Sequence, residues 1–247
     1  MHPLLEKIDH RPFPIPSNPW VMSQTWSKLL FAHYPISADA IRDLIPSQMN
    51  LDLFDGKAWI GIVPFVMNDV WPRYTRARGR LSNFLELNVR TYVERDGIPG
   101  VYFFSLDCSN PIACTIARTF YHLPYYEAKM SINHDDRGVV EYTSERAQGK
   151  AALIMSYRPT GVQIITGKDS LERFLTERYC LYTTDKKNRL HRGIIHHDMW
   201  PLQPAEAEFE LNSMTKPLGI DLPNEKPLLY YSERLETIEW PLSAVSV

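Results

Sequence analysis

The chain has little cysteine, little glycine and no surplus of charge of either sign. Its 247 residues include three cysteines, Cys108, Cys114 and Cys180, none in a CxxC pair. That excludes a disulfide framework or zinc-ribbon spacing, and the three are expected to be reduced thiols of a cytoplasmic protein. The eleven glycines form neither a phosphate-cradling loop nor a GxSxG elbow. Lys plus Arg number 27 against 29 Asp plus Glu, a net charge of −2, so there is no general basic surface for nucleic acid. No apolar run approaches the ~20 residues that span a bilayer, so no membrane partner is expected. The first twenty residues mix charges with five prolines and lack the apolar segment of a secretory leader.

Proline and aromatic residues are plentiful. Nineteen prolines punctuate apolar runs, and aromatics reach 12%. A chain of this length can bury roughly three quarters of its extended surface, so it needs no staple. Residues 1–20 read as an extended arm without a helix, and 21–247 as one domain. Strands are expected at 21–34, 51–54, 57–65, 84–93, 100–108, 125–132, 138–146, 150–158, 162–166, 181–197 (a hairpin about 185–188) and 229–240. Asp55-Gly56 and Asp96-Gly97 mark tight turns. Ser37 is expected to cap a short helix over 38–44. Asn110 with Pro111 opens a second, whose stripe is Ile112, Ala113, Ile116, Ala117 and Phe120. Asp169 with Glu172 forms a capping box for a third over 170–178. With no alternating βαβ rhythm, the class is a β-rich α+β fold, a barrel or packed sheets with a few short helices.

The segment Phe84–Tyr92 carries the most chemistry. Alternation puts Leu85, Leu87, Val89 and Thr91 on one face and Phe84, Glu86, Asn88, Arg90 and Tyr92 on the other. An aliphatic face against the core leaves Glu86, Asn88 and Arg90 either in solvent or lining a cavity, and the flanking aromatics favour the cavity. A carboxylate beside an arginine suits orientation of a small polar ligand. Further along, Tyr125, Glu127 and Lys129 share a strand face, and Arg118 lies on the preceding helix outside its apolar stripe. His191, His196 and His197 match no recognised zinc spacing, so no metal is assigned. The cysteines sit in apolar settings and read as inert. Arg178 near a helix end suits the helix dipole. The loop RYTRARGR at 73–80 is either solvated or a contact for an acidic ligand.

The strings ELNVRTYV (86–93), GVYFFSLDCSN (100–110), LPYYEAKM (123–130), LERFLTERYCLYT (171–183) and HHDMWPL (196–202) resemble the YqjF-like family of bacterial proteins, within the acetoacetate decarboxylase-like superfamily. The resemblance spans about residues 26 to 241. It implies antiparallel sheets around a cone-like β-barrel with an internal pocket. True decarboxylases follow a helix with Pro-Lys-Lys, whose first lysine forms a Schiff base with the ketone. Here Pro124 is followed by Tyr125 and Tyr126, and a phenol forms no imine. The superfamily's strand carboxylate matches Glu86.

The leading expectation is therefore a pocket for a small carbonyl or carboxylate compound, lined by Glu86, Asn88, Arg90, Arg118 and Tyr125, without a cofactor. Any proton transfer would run through Glu86 or Tyr125. One alternative is a non-catalytic scaffold whose aromatics fill the barrel or mediate assembly, including a homo-oligomer. Another is a decarboxylase- or aldolase-like enzyme using a relocated amine, Lys129.

Overall fold

β-branched and aromatic runs separated by Asp-Gly, Asn and Pro turns fold into a predominantly stranded structure. The computed structural model describes residues 2–75 and 83–245. In chain order the first half contains β1 (Met22–Ile36), β2 (Asn50–Leu51), β3 (Ala58–Pro72), β4 (Phe84–Arg95), β5 (Ile98–Cys108) and helix α1 (Pro111–Phe120). Then come β6 (Tyr125–His134), β7 (Val140–Arg146), β8 (Ala152–Pro159), helix α2 (Leu171–Thr176) and β9 (Cys180–Thr184). The chain closes with β10 (Leu190–His197), β11 (Gln203–Asn212), β12 (Leu228–Glu239) and β13 (Ser243–Ala244).

Nine of these strands form a closed ring in the order β5-β6-β7-β8-β11-β12-β1-β3-β4, completed by pairing of β4 with β5. A side branch of β9 and β10 runs from β5 back to β12. Most pairs are antiparallel, as expected. The two that are not, β5 with β6 and β5 with β9, are parallel. Asp55-Gly56 and Asp96-Gly97 have positive φ at both residues, the geometry of a type I′ turn. The second joins β4 to β5 directly. The first makes a narrower loop, closed by a single Phe54–Lys57 bridge, and β2 then pairs with β4 rather than β3.

The main core lies on the aliphatic side of β4, where Leu87, Val89 and Val93 pack with Leu30, Ile60, Ile62, Tyr142 and Tyr157. The Tyr142 hydroxyl donates to the carbonyl of Glu86 at 2.8 Å, which ties β7 to β4 across the interior.

Several expectations are corrected. The 38–44 helix is two 3-10 turns, Ala38–Ala40 and Arg42–Leu44, interrupted where Ile41 leaves helical geometry (φ −126°). The N-terminal arm contains a 3-10 turn, Pro3–Glu6, and its Leu4 joins the core. Residues 162–166 form no strand: Val162 and Ile165 point into solvent, and one backbone bond, Ile164 N–H to the Leu202 carbonyl, holds the segment. Helix α2 is capped by the Ser170 side chain, not Asp169, and ends at Thr176. Cys108 and Cys114 are joined in a disulfide across the turn from β5 into α1, so two of the three expected thiols are not free; Cys180 is a buried thiol. Most of the 73–80 loop lies outside the described residues, though Arg73 stacks over Trp20. Among the described residues no helix is long and apolar enough to cross a membrane.

Candidate functional site

The polar face of β4 looks inward. It borders a cavity of about 320 Å³ lined by β1, β3, β4 and β5, by residues of β9 and β10 and the end of β12, and by α1. Glu86, Asn88, Arg90 and Tyr125 all line it, among a largely apolar and aromatic wall that includes Trp26, Phe31, Phe65 and Trp200. Both faces of β4 are buried, because the ring packs core against one and the cavity occupies the other.

The Asn110 side chain accepts from the backbone N–H groups of Ile112 and Ala113, and Pro111 fixes the first turn of α1, as the sequence implies. Its stripe does not pack on the core. Ala113, Ile116 and Ala117 border the cavity, while Ile112 and Phe120 are exposed. The helix then passes through Leu123-Pro124 into β6, which delivers the Tyr125 ring to the cavity. There the Tyr125 hydroxyl donates to Glu86 Oε2 at 2.8 Å.

The cavity wall is dry enough to reset proton affinities. Burial lifts the Glu86 carboxyl to about 8; the Tyr125 hydrogen bond opposes the rise, and the charge of Glu239 adds to it. Glu239, at the end of β12, is also buried on this wall and is raised to about 7, opposed by the hydrogen bond from Gln24. Tyr125 is pushed well above the ordinary phenol value, first by burial and then by Glu86. His197 borders the same space and is lowered to about 3 by burial. At neutral pH Glu86 and the phenol are thus predominantly uncharged, as is the imidazole, while Glu239 sits near its midpoint.

Arg90 is the exception. It is 9% exposed, donates to the Leu175 carbonyl at 3.1 Å and to the Tyr92 hydroxyl at 3.4 Å, and lies over the Phe31 ring. Among the described residues no carboxylate pairs with it. Its neighbour Arg178 also borders the cavity, but that guanidinium is paired with Asp52 and donates to the Phe174 carbonyl, a helix-end role as expected. Unpartnered polar atoms gather on this wall: Arg90 Nε, Asn88 Oδ1 and the indole nitrogens of Trp26 and Trp200 are buried without hydrogen bonds.

Two expected site residues lie elsewhere. Arg118 faces solvent and pairs with Glu127 at 3.1 Å, because it lies on the side of α1 away from the cavity. Lys129 is exposed on β6, beyond the point where that strand leaves the cavity wall, and no described lysine borders the cavity. The three histidines are dispersed. His191 meets Asp185 at 3.3 Å, His196 holds the N-terminal arm through the Leu4 carbonyl and Arg11, and only His197 reaches the cavity. No group of three metal-ligating side chains occurs among the described residues.

Sequence reasoning missed Glu239, Gln24 and Trp26. The available signal was the apolar company of Glu239 in IEWPL, which sets it apart from the exposed Glu236 in the same strand.

Comparison with known proteins agrees with this architecture. Residues 23–236 match the model of the DUF2071 family, described as an uncharacterized conserved protein. The chain is 42% identical over 240 residues to the uncharacterized protein YqjF of Bacillus subtilis, covering 97% of this chain and 98% of that one. Among solved structures, the enduracididine biosynthesis enzyme MppR, complexed with the condensation product of pyruvate and imidazole 4-carboxaldehyde, superposes with a TM-score of 0.68 at 10% identity, over 93% of this chain and 90% of that one. The acetoacetate decarboxylase of Legionella pneumophila gives 0.64 at 14% identity, over 96% and 92%. At such identities the likeness is one of fold. The chain belongs to the DUF2071 family, of which YqjF is a relative, and has the acetoacetate decarboxylase-like fold.

Proposed function

We propose that the cavity binds a small carbonyl or carboxylate compound, such as an oxo acid, with an apolar body. The observation that carries this reading is Arg90: a buried guanidinium on the cavity wall with no carboxylate partner among the described residues. A buried cation is costly unless paired, and a ligand carboxylate supplies the pair. Four residues from Arg90, about 13 Å along the strand, the protonated Glu86 and the Tyr125 hydroxyl offer donors to a carbonyl oxygen at the other end of the cavity. The aromatic wall takes the remainder, and the volume falls at the small end of ligand sites. The neighbour MppR has been solved with pyruvate, itself a 2-oxo acid.

Phenols stand where the superfamily's Schiff-base lysine would be, and Lys129 is too far out to replace it, so chemistry here runs without an imine. The ring's own interior is filled by side chains, but a cavity on the opposite face of β4, bordered by Glu86, Asn88 and Arg90, favours a binding site over a scaffold.

Thermal shift against 2-oxo acids, 2-hydroxy acids and aromatic acids tests the reading. A ligand at about 100 times its Kd adds about 2.7 kcal/mol, or about 5 to 10 °C for a chain of this size. The shift should vanish in Arg90→Ala and shrink in Glu86→Gln and Tyr125→Phe. A shift that survives unchanged in all three would place the ligand elsewhere.

A further inference from the structure

The polar groups on the cavity face of β4 form two separate poles. Arg90 and Glu86 are four residues apart on that strand, about 13 Å, and both border the cavity. The Arg90 guanidinium is turned towards the end of α2: Nη2 donates to the Leu175 carbonyl at 3.1 Å and to the Tyr92 hydroxyl at 3.4 Å, while Nε has no partner. Arg178 strengthens this pole. The two guanidiniums lie over the Tyr92 ring, at 5.6 and 5.0 Å, and Asp52 pairs with Arg178 alone. Two cations against one described carboxylate leave this end with a surplus of positive charge, suited to an anion.

The opposite pole is neutral. Tyr125 donates to Oε2 of Glu86 at 2.8 Å, and Oε1 makes no hydrogen bond among the described residues. Burial keeps that carboxyl protonated at neutral pH, so Oε1 can donate a proton into the cavity. A carbonyl oxygen would accept there, whereas a second anion would be buried without a cation. Between the poles the wall is mainly apolar. Opposite the 86–90 stretch, β3 brings Phe65 and Val63 and β5 brings Leu106 and Phe103, and all four border the cavity. Asn88 is the one polar side chain that β4 itself adds between the poles. An acid with its carbonyl on the adjacent carbon can engage one pole only.

Resting on the binding reading above, we propose that the ligand is a straight-chain acid of medium length, lying along β4 with its carboxylate on Arg90 and a neutral carbonyl near its far end on Glu86. A separation of about 13 Å, less about 3 Å of hydrogen-bond reach, leaves about 10 Å for the ligand. An extended chain advances about 1.25 Å per carbon–carbon bond, so the span takes about eight bonds, a chain of about eight to ten carbons.

Titration calorimetry on the full-length protein tests this with methyl-ketone acids from 4-oxopentanoate to 11-oxododecanoate, each against the plain fatty acid of the same length. Pairing by length cancels the gain that any apolar wall gives to each added methylene. 8-Oxononanoate should bind about tenfold more tightly than nonanoate, and 4-oxopentanoate no more tightly than pentanoate. Nonanedioate, a dianion, should bind at least about tenfold more weakly than 8-oxononanoate. Glu86→Leu should spare nonanoate and erase the advantage of the ketone, and Arg90→Ala should weaken both compounds together. Should either variant fail to fold, the wild-type length profile decides alone. A ketone advantage that is absent at every length, or greatest for the shortest pair, overturns the spanning geometry and leaves the binding reading standing. So does nonanedioate binding as tightly as 8-oxononanoate. If no acid of any length binds, short oxo acids included, the binding reading itself falls.

Discussion

Replacing Glu86 with glutamine should make the protein more resistant to alkaline pH. In the folded chain the carboxyl holds its proton up to about 8, against an ordinary value of 4.5. The unfolded chain releases that proton first. The native state therefore binds more protons across this interval, and the stabilisation it gains is complete below about pH 4.5 and lost as the pH climbs through about 8. Integrating over the window, the wild type should lose about 4 kcal/mol through this one group between about pH 5 and about pH 9. Glutamine has the same shape, carries no titrating proton, and can still accept the Tyr125 hydrogen bond. Urea unfolding of wild type and Glu86→Gln across that range should give curves that diverge in favour of the variant as the pH rises. Parallel curves would mean that Glu86 is solvated and ionised in the native state, and the inward-facing wall would be wrong.

Three further expectations test other parts of the architecture. Asp107 is fully buried and pairs with Arg146 at 2.7 Å, so Asp107→Ala, which strands the guanidinium, should cost about 3 to 5 kcal/mol in chemical unfolding, whereas a loss under about 1 kcal/mol would show the pair to be solvated. A methyl group at Gly61 would sit 3.2 Å from the His33 ring and 3.3 Å from Arg90 Cγ; Gly61→Ala should displace Arg90 and weaken oxo acid binding, read by titration calorimetry, and an unchanged Kd would detach Arg90 from recognition. Lys129→Ala should change stability by no more than about 0.5 kcal/mol and leave ligand binding intact, and loss of binding in that variant would reopen the relocated-amine mechanism.

Much of the site was legible because β4 is regular. A period of two over Phe84–Tyr92 separates an aliphatic face from a polar one; closure of the sheet turns the aliphatic face into the ring, and α1, β9 and β10 cover the polar one. The reading weakened where orientation depends on distant partners. Lys129 shares a face with Tyr125 by parity, yet β6 pairs with β5 only over Tyr125–Glu127 and with β7 thereafter, so its later residues leave the cavity behind. The amphipathic stripe of α1 was visible, but periodicity cannot distinguish a helix packed on a core from one laid across a hollow. Glu239 escaped notice because an acidic residue in a terminal strand ordinarily faces water. Its burial follows from β12 being clasped by β1 on one side and β10 on the other, a fact of topology and not of local pattern.

The Leu175 carbonyl, at the end of α2, accepts from two donors, the Arg90 guanidinium and, at 2.8 Å, the Tyr92 hydroxyl. That redundancy frees the arginine to change allegiance. On the proposed reading, an anion that drew the guanidinium away would leave the phenol fastening the helix, so loading the hollow need not loosen the scaffold around it.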